Sequence, residues 1–177
     1  MQLRLRILGL VGIACLTACV SQGQTAQSES DTARATDAYL QEADVCYLKH
    51  DFKSAIPLFQ KALGLQKKQL TLDKNRWRML IDSLGESYGI SGDLKKAKAT
   101  FAYGIEKDPK FWLFHYNMAC TYAELDDVDN TIVHIKLAYE NREKAVKFAD
   151  PWTDPSFQKL MNNDKFVNAL RALDTHM

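Results

Sequence analysis

The sequence predicts an all-α fold for this 177-residue chain, a solenoid of helical pairs in three repeats with capping helices at the C-terminus. Two observations carry that expectation. Three segments align with one another: "AYLQEADVCYLKHDFKSAIPLFQKAL", "SLGESYGISGDLKKAKATFAYGIEKDP" and "HYNMACTYAELDDVDNTIVHIKLAYE". Self-similarity at a fixed period is the mark of a stacked repeat array. In each segment an aspartate precedes the second apolar stretch, Asp51, Asp93 and one of Asp126, Asp127 and Asp129, as helix N-caps require. A hydrophobic content of 46% with 25% charged residues is ordinary for a chain that buries a core.

The elements follow in chain order. Residues 1–20, "MQLRLRILGLVGIACLTACV", place Arg4 and Arg6 before an apolar run from Ile7 to Val20. A charged start followed by such a run reads as a secretory signal. At about 14 residues the run is short of the ~20 that span hydrocarbon as a helix. Leu16-Thr17-Ala18-Cys19 resembles a bacterial lipobox, with small residues at Thr17 and Ala18 before the cysteine. That resemblance implies removal of residues 1–18 and lipid attachment at Cys19. Cys15 fits it less well, because Gly12 stands where an aliphatic residue is wanted. Val20, not aspartate, follows the cysteine, which in Gram-negative lipoproteins implies sorting to the outer membrane. Two or three acyl chains make a durable anchor where one does not.

Residues 19–35 are polar and small, without apolar period, and are expected to form a disordered tether of roughly 20–25 Å. The repeats begin at residue 36. Small residues recur at Ala43, Gly85 and Ala119, then at Ala55, Ala97 and Thr131, then at Ala62, Gly104 and Ala138. Large ones recur at Tyr88 and Tyr122, and at Phe59, Phe101 and Ile135. Antiparallel helices approach to 8–10 Å only where contact residues are small. Gly104 costs about 1 kcal/mol relative to alanine in a helix, so close packing is its expected purpose. These positions resemble the tetratricopeptide repeat, a 34-residue helix–turn–helix unit. Cys46, at the aromatic position, and Thr131 depart from its pattern. The resulting division is repeat 1 over 36–69, an insertion over 70–77, repeat 2 over 78–111 and repeat 3 over 112–145. Ala97 and Thr131 stand one period apart, whereas Ala55 and Ala97 are separated by 42 residues. About eight residues are therefore inserted around "LTLDKNRW", as a longer helix or loop. Pro57 is expected to bend its helix.

Residues 146–177 are predicted to cap the solenoid. Asp154 caps a short helix with Pro155 in its first turn, and Phe157, Leu160 and Met161 form one face. Asn163 or Asp164 then caps a helix that turns Phe166, Val167, Leu170 and Leu173 inward.

Formal net charge is +1, and without Arg4 and Arg6 the chain carries 21 basic and 22 acidic residues. That balance excludes the basic footprint of a nucleic-acid binder. Cys46 and His50 stand four apart but lack a second ligand pair, so no metal site is expected. A Cys46–Cys120 bridge is not expected either, since their repeats are two solenoid steps apart and a disulfide needs Cα atoms within ~7 Å. "GESYGISG" lacks phosphate-loop spacing. His115, His134 and His176 have no evident catalytic partner, and neither an enzymatic site nor a cofactor is predicted.

What the repeat resemblance implies is a concave groove lined by first helices, where relatives bind peptides or partner helices. The matching positions in the first unit are Leu40, Asp44 and Tyr47, flanked by Asp37 and Leu48. In the second they are Met79, Asp82 and Glu86, with Ile90, and in the third Leu113, Tyr116, Asn117, Cys120 and Glu124. The set is apolar and acidic without lysine or arginine, which suits an apolar or basic segment. The expected function is therefore a membrane-anchored adaptor or scaffold for another cell-envelope protein or peptide. A structural subunit of a larger envelope assembly and a small-molecule or lipid carrier are the other readings.

Overall fold

The computed structural model describes residues 11–142 and 150–174, with side chains described for 27–142 and 150–173. Regular structure among the described residues is helical throughout. The helices are α1 (Val11–Leu48), α2 (Phe52–Lys68), α3 (Lys74–Ile90), α4 (Leu94–Lys107), α5 (Trp112–Glu124), α6 (Val128–Asn141) and α7 (Asp164–Asp174). A 3₁₀ segment, Pro155–Leu160, precedes α7. Helices α1 and α2, α3 and α4, and α5 and α6 pair as hairpins, and each hairpin packs on the next through α2–α3 and α4–α5. The result is a helical-repeat solenoid of the tetratricopeptide type.

One turn chemistry joins all three hairpins. His50 (φ 59°), Gly92 (φ 83°) and Asp126 (φ 59°) adopt the left-handed conformation. The next residue in each case, Asp51, Asp93 or Asp127, caps the following helix by accepting from the backbone N–H of Ser54, Lys96 or Asn130. The N–H groups of Asp51, Asp93 and Asp127 also reach back to the carbonyls of Cys46, Tyr88 and Tyr122. This six-to-one bond is the Schellman closure of a helix C-terminus. One short turn thus satisfies the orphan groups of the helix it ends and the helix it begins.

The predicted small residues occupy the crossings. Ala43, Ala119, Ala55, Ala97 and Ala138 are fully buried, as are Phe59 and Ile135, with Phe101 at 2% exposure. A Cβ on Gly85 would stand 2.4 Å from the Phe101 ring, and one on Gly104 would stand 2.9 Å from Phe114. Real Cβ atoms do not approach so closely, so the ring or the helix that carries it would have to shift. The insertion is shared between longer helices and a loop. α2 and α3 each have 17 residues, against 14 in α4. The buried side chain of Gln66 closes the loop, its Oε1 accepting from the N–H groups of Thr71 (2.9 Å) and Leu72 (3.0 Å). Asp73 caps α3.

The C-terminal cap covers the last hairpin. Phe157, Leu160, Phe166 and Leu170 are buried with Tyr116, Ala119, Ile135 and Ala138. Asp154 caps the 3₁₀ segment, accepting from the Ser156 N–H, and Asn163 accepts from the Phe166 N–H. Val167 and Leu173, expected to face inward, are half-buried.

The disordered tether is corrected. Residues 19–35 lie within α1. Their composition cannot bury a core by itself, but once a helix is nucleated each further residue adds one backbone bond at little cost. Here Thr36, Leu40 and Ala43 supply the nucleus, all buried. Local bonds then continue the helix backwards, among them Thr36 Oγ1 to Thr32 O (2.8 Å), Thr32 Oγ1 to Ser28 O (2.9 Å) and the Arg34–Asp31 pair. The side chains of Cys15 and Cys19 lie outside the described residues, as do the charged start of the leader, residues 143–149 and His176. No helix among the described residues is long and apolar enough to cross a membrane.

These crossings predict opposite outcomes for two alanine substitutions, read as thermal unfolding. Gly85→Ala forces its Cβ into Phe101 and is expected to cost about 1–3 kcal/mol. Gly64→Ala in α2 meets nothing within 4 Å and is expected to gain about 0.5–1 kcal/mol from helix propensity. A stabilised Gly85→Ala protein would show that the α3–α4 crossing is looser than described.

Candidate functional site

The first helices of the three hairpins, α1, α3 and α5, line one cleft of about 690 Å³. Tyr47 enters from α1, Glu86, Gly89 and Ile90 from α3, and Trp112, Leu113, Tyr116, Asn117, Cys120 and Glu124 from α5. Gly85 and Phe101, the pair whose close approach joins α3 to α4, form part of its wall. The C-terminal cap adds Asp154 and Ser156.

A polar network holds the α1, α3 and α5 sides together. The Asn117 amide donates to Asp82 Oδ1 at 2.7 Å and lies 3.5 Å from Glu86 Oε1. The Tyr47 hydroxyl donates to Glu86 Oε2. Burial pushes the Asp82 carboxyl up to about 8, and the neighbouring Glu86 charge adds to that push while the Asn117 hydrogen bond opposes it. Burial likewise raises the Tyr47 phenol, reinforced by its bond to Glu86 and by the charges of Glu86 and Asp82. At the other end the Tyr116 hydroxyl donates to Asp154 Oδ2 at 2.7 Å. Lys159 reaches the Glu124 carbonyl oxygen at 2.9 Å and the Asp126 carboxylate at 3.0 Å, tying the cap to the end of α5. The Cys120 thiol is pushed up by burial first, then by the charge of Asp154.

The predicted groove residues separate into four groups. Tyr47, Glu86, Ile90, Leu113, Tyr116, Asn117, Cys120 and Glu124 line the cleft. Asp82 supports it from behind through Asn117. Leu40 is a correction: it is 5% exposed and sits in the core with Ala43 and Phe59, because the inner face of α1 is covered by its neighbours. Asp44 and Met79 are exposed but stand outside the cleft lining. Asp37 pairs with Arg76 instead, at 2.6 Å. Tyr116, read only as a groove residue, is 4% exposed and also belongs to the core beneath the cap. Asp154 and Ser156 were missed, since nothing local in the sequence folds the cap back against the groove. The signal that could have found Asp154 is its place as an N-cap directly before a proline.

Cys46 and Cys120 are free thiols. Among the described residues no group of three or more histidine, cysteine, aspartate or glutamate side chains could hold a metal ion. His115 and His134, without evident partners in the sequence, pair with each other. His115 Nε2 lies 2.9 Å from the Pro109 carbonyl, which can only accept, and His115 Nδ1 lies 3.2 Å from His134 Nδ1. In the neutral pair His115 therefore carries its proton on Nε2, and His134 donates from Nδ1. Burial, with the neighbouring His115, lowers His134 to about 4.

With the solenoid and its cleft described, the comparison with known proteins concerns the fold. No protein-family profile matches the chain, and no curated protein does. Among solved structures, PcrH from Pseudomonas aeruginosa superimposes with a TM-score of 0.51 at 18% sequence identity, over 78% of this chain and 92% of that one. The two share a helical-repeat architecture.

Two of the shifted groups, Asp82 and His134, predict a pH profile of stability. Asp82 has a raised pKa, so its contribution is complete below the unfolded value of 3.8 and is lost as pH rises through about 8. His134 has a lowered pKa, so its contribution is present above 6.5 and is lost as pH falls through about 4. Between those limits the slopes oppose each other. From about pH 6.5 to 8 Asp82 acts alone, and stability is expected to fall by at most about 1.4 kcal/mol per pH unit. Denaturant midpoints of Asp82→Asn should lose that fall and rise with pH between about 4 and 6.5. An unaltered profile would rule out Asp82 as its source.

Proposed function

We propose that the protein is a membrane-anchored scaffold that seats a segment of another cell-envelope protein in the cleft formed by α1, α3, α5 and the cap. The observation that carries this reading is the cleft itself. It is large enough for several side chains, and it mixes aromatic and apolar surface with hydrogen-bonding groups on rigid helices. Pre-formed concavities of this composition suit ligand segments, because little ordering is needed on the scaffold side.

The anchor rests on the leader. A lipid on Cys19 places the chain on a membrane, at the periplasmic face of the outer membrane if the source is Gram-negative. At 1.5 Å per residue, a helical Cys19–Thr36 segment spans about 25 Å. The cleft would then stand at a defined distance from the bilayer.

Two experiments test the two halves. Metabolic palmitate labelling is expected to mark the wild type and to be lost in Cys19→Ala, which should also leave the membrane fraction. Retained label on Cys19→Ala overturns the anchor. A photo-crosslinking residue at Ile90, 62% exposed in the cleft, is expected to capture a discrete protein in intact cells. The same residue at Val133, 50% exposed on α6, should not. Equal capture at both positions would move the interface off the cleft.

A further inference from the structure

The cleft carries a specific charge character that the near-neutral chain does not. Glu86, Glu124 and Asp154 line it, whereas no lysine or arginine among the described residues does. We infer that its occupant is a cationic segment of the partner protein, with lysine or arginine side chains set against these carboxylates and apolar ones against Trp112 and Leu113. This rests on the cleft being a protein-binding groove and names the chemistry of what it takes.

The choice of charge follows from what each kind of segment would leave behind. An acidic segment would meet three carboxylates of its own sign. A neutral apolar segment would strip water from those carboxylates and supply no partner, and a buried unpaired charge is strongly unfavourable. A cationic segment alone neutralises them as it covers them. The carboxylates also retain capacity. Glu86 accepts from the Tyr47 hydroxyl, and Asp154 accepts from the Tyr116 hydroxyl and the Ser156 N–H. Each carboxylate offers about four acceptor sites, so both keep room for an ammonium or a guanidinium. Glu124 is exposed, with Lys159 only at 3.8 Å from its carboxylate. Burial, then its hydrogen bond to Glu86, raises Tyr47; burial, then its hydrogen bond to Asp154, raises Tyr116; burial, then the Asp154 charge, raises Cys120.

The test uses the full-length chain in detergent, immobilised and panned against a random peptide library displayed on phage. Enriched sequences are expected to carry lysine and arginine well in excess of aspartate and glutamate, interleaved with apolar residues. A selected peptide, resynthesised, should bind more weakly as salt rises from about 50 to about 300 mM. Glu124→Gln, at an exposed position, should weaken it by about 2–5-fold, with the melting temperature unchanged. Glu86→Gln keeps an acceptor for Tyr47 and should act in the same direction. Enrichment of neutral or acidic peptides by the folded protein overturns the charge assignment while leaving the groove reading in place. Wild-type affinity for the selected peptide in both glutamine variants does the same. Failure to enrich any sequence overturns both.

Discussion

The contact on which this molecule depends is the approach of α3 to α4 at Gly85, where the Phe101 ring occupies the volume that a Cβ would take. Phe101 is almost wholly buried, and both residues also face the cleft. The same close packing that joins a hairpin therefore forms the wall of the cleft. A larger residue at 85 would displace the Phe101 ring or its helix, and either shift changes the cleft wall. Gly104 against Phe114 and Ile81 repeats the constraint one step further, fastening the second hairpin to the third. Helix propensity lost at each glycine, about 1 kcal/mol, is offset by ring contacts that no alanine could admit.

Crossings set distance, and turns set direction. In all three hairpins a left-handed residue followed by an aspartate ends one helix and starts the next. Only Gly92 adopts that backbone without steric cost. His50 and Asp126 accept a penalty of about 1 kcal/mol, and the Schellman bond with the aspartate cap outweighs it. Because the turns are alike, the hairpins are alike, and stacking them aligns α1, α3 and α5 along one face. The groove is thus a consequence of turn geometry repeated three times, with side chains added to it.

Much of this was legible because the repeat states it three times. The helix pairs, the crossing residues and the caps Asp51 and Asp93 each follow from a local requirement that recurs at a fixed spacing. The placement of eight residues along the cleft follows too, once the first helices are known to share a face. What was not legible depends on a single occurrence or on neighbours distant in sequence. Leu40 has the same pattern as a groove position, but its burial is decided by the elements packed around α1. The helical state of residues 19–35 is decided by a nucleus at Thr36, Leu40 and Ala43, outside the segment whose composition suggested disorder. The pairing of His115 with His134 requires knowing that α5 and α6 bring those two faces together.

Asp154 shows how the end of the solenoid becomes part of its surface. One carboxylate oxygen caps the 3₁₀ segment through the Ser156 N–H, and the other accepts from Tyr116 on α5. Tyr116 in turn packs edge-on against Phe157, whose burial seals the last hairpin. A terminal unit is needed in any repeat array to cover the apolar face that no further repeat will cover. Here the residue that starts the cap also closes one side of the cleft and contributes to its negative charge. Loosening the cap would therefore be felt first in the groove. The limit it places on the groove is also physical: beyond α5, Asp154 and Ser156 of the cap close the side of the cleft.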